Sequence, residues 1–185
     1  VCARGIDRNT LFTLNYGGLR VFEGNTKLSK KYPYNIAYNV LIVGMLFFHN
    51  LHYTDPVLFE VLKTRGYTPI HVKQGYAACS SAVLQKANGE VLVMTGDAGM
   101  RAACQNVGIR VIWCEGIKNV SLKGYDHGFV GGCCGRDGQT LYTCGRIEDT
   151  FENASEIMDC IEEAGIEVVS LYSGPLRDIG GIVIA

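Results

Sequence analysis

Residues 81–114 read SAVLQKANGEVLVMTGDAGMRAACQNVGIRVIWC, and this stretch decides the fold. Two apolar runs flank Asn88-Gly89, a dipeptide typical of tight β-hairpins. A helix is then predicted to begin near Asp97, a capping residue, and to end at Gly108. The short apolar run RVIWC that follows is typical of a strand parallel to the hairpin. The stretch therefore predicts one ββαβ unit.

The same pattern occurs upstream, in residues 39–72. The apolar segment NVLIVGMLFFHN comes first. Thr54-Asp55-Pro56 then supplies a helix cap and a proline for the first turn, and Gly66 ends the predicted helix. The run TPIHV provides the closing strand.

A third copy lies downstream, in residues 130–171. Its hairpin turn is Arg136-Asp137-Gly138-Gln139, its helix is capped by Asn153 or Ser155 and ends at Gly165, and EVVSL is its last strand. A single unit of this kind cannot bury its own apolar face, so the units must pack on neighbours or close into a ring. We expect the third strand of each unit to be buried.

The remaining segments fit the repeat less well. Leu14–Val21, with Asn15-Tyr16-Gly17-Gly18, is predicted to be a further hairpin whose helix is missing. Glu23–Tyr34 is polar and lysine-rich and is predicted to be a loop. The end of the chain, Ile179–Ile184, is predicted to be a final strand.

The composition indicates a globular protein with a full-sized core. The chain has 185 residues, of which 48% are hydrophobic and 19% charged, and its net charge is −1. No basic stripe indicates nucleic-acid binding, and the longest apolar stretch, Val40–Phe48, is too short to span a bilayer. With no secretory leader visible, we expect a cytoplasmic location and no membrane association. The chain begins at Val1, and the expectation of a single domain over 1–185 leaves room for a further N-terminal part.

The eight cysteines are interpreted as free thiols rather than as a disulfide framework. They are spread through helix and strand patterns of a chain that has enough core without disulfides. No CxxC pair is present, and His49, His52 and His71 lack metal-ligand spacing. We therefore expect neither a metal site nor a cofactor. The cysteines are Cys2, Cys79, Cys104, Cys114, Cys133, Cys134, Cys144 and Cys160.

A ring of ββαβ units resembles the pentein fold, the five-bladed α/β-propeller of arginine and agmatine deiminases, dimethylarginine hydrolases and amidinotransferases. NVLIVGMLFFHN resembles the segment DVLxxGxxxxxG that opens a blade in those enzymes, and the terminal DIGGIVI resembles their closing GGxxC strand. HVKQGYAACS, KGYDHGFVGG and SGPLRDIGG together resemble a group of bacterial pentein-like proteins with no known activity. The resemblance implies a pentein-like α/β-propeller with at least three full blades and a partial one.

The enzymes of this fold use a cysteine of the last strand as nucleophile, a histidine as general acid and base, and carboxylates that hold the guanidinium. Here Val183 or Ile184 stands where the nucleophile belongs, and the catalytic histidine would fall close to Ala78 or Cys79. Asn39 stands where the enzymes have a substrate-binding aspartate. The resemblance therefore implies a pentein without the usual Cys/His catalytic set.

Two segments open a blade with Lys, Gly and Tyr, namely residues 73–80 and 123–128, and the fold would place such blade openings at its central channel. Cys79 is a candidate displaced nucleophile, with His127 or Asp126 as its partner; the alternative is a buried thiol. Asp178 either holds a cation or pairs with Arg177 in a turn. Cys133-Cys134 are redox-active or, as we favour, packing residues. The candidate ligand-binding residues are Asn39, Lys73, Tyr76, Tyr125, Asp126 and Asp178.

Two functions remain open from the sequence. In the first, which we favour, the central channel binds a small guanidino- or amino-acid-like ligand, with catalysis through Cys79 and His127 undecided. In the second, the chain is a non-catalytic binding or scaffold protein, as is the ribosome anti-association factor of archaea and eukaryotes that shares the pentein fold.

Overall fold

The computed structural model describes residues 1–18 and 20–184, which form an α/β protein with two compact units, Val1–Tyr76 and Ala77–Ala185. No helix in this part of the chain is long and apolar enough to cross a membrane. The helices are α1 (Arg8–Tyr16), α2 (Pro56–Thr64), α3 (Ala77–Ser80), α4 (Ala98–Asn106) and α5 (Ala154–Glu163). The strands are β1 (Leu41–Val43), β2 (Leu46–His49), β3 (Thr68–His71), β4 (Ser81–Gln85), β5 (Val91–Thr95), β6 (Arg110–Trp113), β7 (Cys134–Asp137), β8 (Thr140–Thr143) and β9 (Glu167–Ser170).

The strands form three small sheets of identical topology, with the orders β1-β2-β3, β4-β5-β6 and β7-β8-β9. In each sheet the first two strands are antiparallel and the last two are parallel. The helices α2, α4 and α5 connect the parallel pairs. The predicted α/β class is therefore confirmed, and each of the three predicted segments has the ββαβ order.

The three crossover helices end in the same way. A glycine with positive φ follows each helix, and the next residue donates its amide to a carbonyl five residues back, as in a Schellman motif. A residue with a Cβ would be strained in this conformation, which explains the glycine in each copy. The glycines are Gly66 (φ +87°), Gly108 (φ +78°) and Gly165 (φ +68°). The hydrogen bonds run from the amide nitrogen of the first residue to the carbonyl oxygen of the second: Tyr67 to Leu62 (3.0 Å), Ile109 to Cys104 (2.9 Å) and Ile166 to Ile161 (3.1 Å).

The helices begin at the predicted caps. Asp55 accepts hydrogen bonds from the amides of Val57 and Leu58, and Asp97 accepts one from the amide of Met100. Asn153 precedes α5 without a side-chain cap bond. Instead, the side-chain Nδ2 of Asn153 donates a hydrogen bond to the backbone carbonyl of Trp113 at 3.0 Å. This bond connects the second and third ββαβ segments.

Each unit has its own core. In Val1–Tyr76 the buried side chains include Ile36, Leu41, Phe47, Phe48 and Leu62. In Ala77–Ala185 one cluster joins the second and third sheets and includes Leu84, Leu92, Met94, Leu141, Ile157 and Ile161. The third strands β3, β6 and β9 are only partly covered, and of them only Ile112 is buried. The expectation that they are buried was wrong, since each lies at an edge of its sheet with at least one end exposed.

The predicted hairpin at Leu14–Val21 was wrong. Helix α1 covers Arg8–Tyr16, because Asp7 caps it by accepting the amide of Thr10 at 2.9 Å. Gly17 and Gly18 end this helix rather than turning a hairpin. Leu19, which the prediction also included, lies outside the described residues.

The predicted terminal strand at Ile179–Ile184 was also wrong. Gly180 and Gly181 both have positive φ, which breaks an extended conformation. The segment is nevertheless held at the start of β7, since Ile179 and Gly181 donate to the carbonyl of Gly132 and Ile182 donates to that of Cys134. The predicted loop over Glu23–Tyr34 has neither helix nor regular strand, in agreement with the prediction.

Candidate functional site

An open cleft of about 600 Å³ in the unit Ala77–Ala185 brings together three of the predicted ligand-binding residues, Tyr125, Asp126 and Asp178. It is formed by the segment that follows β6, the segment that follows β9 and the loop of residues 121–127. Ligand sites of α/β proteins commonly lie beyond the carboxyl ends of strands. The charged residues that line the cleft are Lys118, Lys123, Asp126, Arg177 and Asp178.

Backbone hydrogen bonds hold the walls of the cleft in place. The amide of Gly128 donates to the carbonyl of Val120 at 2.7 Å and closes the base of the 121–127 loop. Ser121 bonds the other wall twice, donating to Leu176 at 3.0 Å and accepting from the amide of Asp178 at 2.8 Å. The side chains of Val120 and Leu176 are fully buried. Because Val120 and Leu176 are packed in the core, the neighbouring residues Ser121 and Arg177 are held at the cleft.

Asp178 is fixed by backbone amides. Its Oδ2 accepts from the amide of Phe129 at 2.9 Å, and its Oδ1 accepts from that of Gly180 at 3.0 Å. A Cβ at Gly132 would lie 2.0 Å from Oδ1, and one at Gly128 would lie 2.5 Å from the Cβ of Asp178. The close approach of Asp178 therefore requires glycine at both positions. A phosphate loop is not the reason for the Gly131-Gly132 pair, because the pair lies in a short 3₁₀ turn that leads into β7 and not into an α-helix.

Arg177 does not pair with Asp178, as the turn alternative had required: no ion pair within 4.0 Å in the described chain joins them. The guanidinium of Arg177 instead lies over the ring of Tyr172, 3.9 Å from its centroid, and donates to the hydroxyl of that tyrosine. Stacking of this kind holds the planar donor group in one orientation.

The cleft carries charges of both signs that are not neutralised by one another. None of the ion pairs found in residues 1–18 and 20–184 includes Lys118, Lys123 or Asp126. All three side chains are exposed. Tyr125, 75% exposed, lies on the same loop. The cleft can therefore offer both cations and an unneutralised carboxylate to a small polar ligand.

His127 is the last residue of the 121–127 loop, and one of its ring nitrogens makes a hydrogen bond to the backbone. Its Nδ1 lies 2.9 Å from the carbonyl oxygen of Gly128, which can only accept, so Nδ1 carries a proton. The ring packs edge-on against Phe129 with 5.9 Å between centroids. In the neutral form this arrangement leaves Nε2 as the nitrogen that can accept a proton.

Cys79, the candidate nucleophile, lies half-buried in the short helix α3. This helix packs tightly on Gly131, where a Cβ would lie 2.2 Å from the carbonyl oxygen of Ala78 and 2.8 Å from that of Cys79. The pairing of Cys79 with His127 or Asp126 stays a prediction.

All eight cysteines are free thiols. Burial raises the pKa of Cys104 to about 11 and that of Cys134 to about 12. It also strongly raises the pKa of Cys114 and Cys133. A thiol with a raised pKa is a poor nucleophile at neutral pH. Cys133 and Cys134 are both buried, which agrees with the packing interpretation.

Asn39, Lys73 and Tyr76 belong to the unit Val1–Tyr76. Asn39 precedes β1 and Lys73 follows β3, and the strand register places both at the end of the sheet where His49 lies. Lys73 is exposed, and the hydroxyl of Tyr76 accepts from the side-chain amide of Asn35 at 2.6 Å. Their role in ligand binding stays a prediction.

The histidines of the same unit have structural partners. Nε2 of the buried His49 donates to the carbonyl of Ile36 at 3.0 Å, and Nδ1 lies 2.7 Å from the hydroxyl of Thr54. The rings of His52 and His71 pack edge-on with 5.1 Å between centroids. Across the described residues, no three His, Cys, Asp or Glu side chains form a group that could hold a metal ion.

Sequence reasoning missed Lys118 as a site residue and used Lys123 only as part of a motif. Lys118 lies in a single 3₁₀ turn, Ile117–Asn119, which begins after Gly116 in a left-handed conformation. Its position could have indicated a site, because Lys118 follows the last strand of a ββαβ unit and ligand sites commonly lie beyond the carboxyl ends of strands.

A sequence profile described as "Family of unknown function (DUF6873)" matches residues 1–183, so the chain belongs to this family. No curated protein matches the chain. No solved structure matches it either.

Proposed function

We propose that the protein binds a small amino-acid-like or guanidino ligand in the cleft between the 121–127 loop and residues 177–179. One observation carries the proposal: the cleft holds Lys118, Lys123 and Arg177 together with Asp126 and Asp178, without an ion pair among them. A ligand with a carboxylate and a cationic group would meet opposite charges at both ends. A cleft of about 600 Å³ has the size of a small-molecule site.

We also propose that the three ββαβ units are blades of a pentein-like α/β-propeller, a fold whose enzymes bind their ligands in a central channel. Support comes from their identical strand orders and helix ends. Within Ala77–Ala185, the first strands β4 and β7 are neighbours, as the inner strands of adjacent blades would be.

The proposed role is binding, and turnover of the ligand by Cys79 and His127 is a separate hypothesis. By the resemblance, Val183 or Ile184 stands where pentein enzymes carry their nucleophile, and four of the eight cysteines have raised pKa values. These features favour loss of the usual catalytic set, whereas the charged residues of the cleft favour a retained ligand site.

Isothermal titration calorimetry of the full chain with a panel of L-amino acids and agmatine tests the binding role. We expect at least one amino acid to bind, and Asp126→Asn to weaken it about tenfold because one charge-assisted contact is lost. Asp137→Asn, in the exposed β7–β8 turn, is the matched control and should leave binding unchanged. Absence of binding by every compound would favour the alternative, a non-catalytic scaffold protein.

A further inference from the structure

The charges of the cleft are unequal. Three cationic and two acidic residues line the cleft, an excess of one positive charge, although the whole chain has a net charge of −1. An excess of cations disfavours a ligand that brings a further cation and favours one that brings a further anion.

Asp178 is less available than Asp126 for hydrogen bonds to a ligand cation. Both of its oxygens already accept backbone amides, from Phe129 and Gly180, and it packs directly on Gly132. These bonds use two of its roughly four lone-pair positions and fix the carboxylate against the backbone. Asp126, exposed on the loop, is then the acid that remains for an ammonium group.

The guanidinium of Arg177 is held in an orientation that suits a carboxylate. It is stacked on the ring of Tyr172 and donates one hydrogen bond to the hydroxyl of that residue. A planar, oriented guanidinium matches the two oxygens of a carboxylate better than a lysine does. Lys118 and Lys123, on two different walls, remain for a second anionic group.

Resting on the proposed function, we infer that the cleft selects α-amino dicarboxylates, such as aspartate and glutamate, over amino acids with neutral or guanidino side chains. One carboxylate lies against Arg177, the second lies between Lys118 and Lys123, and the ammonium group faces Asp126. A guanidino side chain would instead bring a fourth cation beside these three.

The test compares matched ligands by calorimetry on the full chain: L-glutamate with L-glutamine, L-aspartate with L-asparagine, and L-arginine. Each acid differs from its amide by one charge at nearly constant shape. We expect each acid to bind at least about tenfold more tightly than its amide and than L-arginine, as expected for one charge-assisted contact.

Lys118→Met then assigns the preference to the cleft. This variant should bring the glutamate-to-glutamine affinity ratio close to one by weakening glutamate alone. Lys63→Met, at an exposed position of α2, is the matched control and should keep the wild-type ratio. Circular dichroism and the midpoint of urea unfolding check that both variants are folded.

The outcomes separate the inference from the function on which it rests. Equal affinity for acid and amide, or tighter binding of L-arginine, would overturn the selectivity and leave amino-acid binding standing. Binding of none of the five compounds would overturn the inference, whereas the proposed function falls only if every compound of the wider panel fails to bind. An acid preference that survives Lys118→Met would move the site away from this cleft and contradict the inference.

Discussion

At the scale of single residues, the carboxylate of Asp55 joins three parts of the unit Val1–Tyr76. Its Oδ2 accepts hydrogen bonds from the backbone amides of Asn25 and Thr26, and its Oδ1 accepts those of the first amides of α2. The hydroxyl of Tyr38 also donates to Oδ2, at 3.1 Å. The sequence predicted only the cap. The two bonds to the 25–26 loop join residues about thirty positions apart, which no local pattern reveals.

Asp55→Ala should lower the free energy of unfolding by about 3 kcal/mol, because it removes a helix cap and leaves the amides of Asn25 and Thr26 without their acceptor as well. Asp7→Ala, at the exposed cap of α1, should have only a slight effect. Urea unfolding of both variants checks the difference. Equal losses would show that the loop contacts of Asp55 contribute nothing.

The pH dependence of Asp55 follows from the same contacts. Burial alone would raise the pKa of Asp55, but its hydrogen bonds outweigh burial and lower it. A lowered pKa stabilises the folded protein above the ordinary aspartate value of about 3.9. That stabilisation is lost as the pH falls through the lowered pKa.

His49 should titrate below the ordinary histidine value. Burial lowers its pKa, and the bond to the carbonyl of Ile36 offsets this only in part. The unfolded chain therefore binds a proton first, and folded stability decreases as the pH falls below about 6.5. An NMR titration of the His49 ring protons measures this directly. A midpoint at or above about 6.5 would contradict the expectation.

The thiols should differ widely in reactivity. Cys104, Cys114, Cys133 and Cys134 are buried with raised pKa values, so we expect slow alkylation by iodoacetamide at pH 7. The nucleophile hypothesis predicts that Cys79 reacts far faster than the other seven. Peptide mapping by mass spectrometry gives the rate at each site. Uniformly slow labelling would remove Cys79 from consideration as a nucleophile.

At the scale of elements, the sequence predicted the three ββαβ segments well because their signals are local. Caps such as Asp97, turns such as Asn88-Gly89 and helix-ending glycines act within a few residues. The prediction failed where a local signal fits two structures. The Gly17-Gly18 pair fits a hairpin as well as a helix end, and the cap at Asp7, which favours the helix, was overlooked.

Gly108→Ala tests the shared helix end. The position has φ +78° and nothing within 4 Å of a Cβ, so the cost is backbone strain alone, about 1 kcal/mol in unfolding free energy. Gly108→Asn should lose less, because asparagine tolerates the left-handed region. Gly17→Ala, at φ −70°, is the control and should not destabilise. Chemical denaturation gives the unfolding free energy of each of the three variants. If Gly108→Ala had the unfolding free energy of the unmodified protein, the proposed reason for the glycine at each helix end would be contradicted.

At the scale of the whole molecule, the sequence indicated the cleft only in part. Tyr125 and Asp126 stood out because they belong to an unusual segment between two repeats. Asp178 stood out because it lies beside two glycines. Their assembly with Lys118 depends on hydrogen bonds such as that from Asp178 to Ser121, between residues 57 positions apart by their numbering. Long-range pairing of this kind leaves no periodic signal in the chain.

The most direct test of the central claim is an amide ¹H–¹⁵N NMR titration of the full chain with L-glutamate. The account predicts that shifts concentrate in residues 118–126 and 177–179 and spare α2 and its sheet, β1-β2-β3. Asp126→Asn should reduce those shifts at equal ligand concentration. No shifts at saturating glutamate, or shifts confined to residues outside the cleft, would contradict it.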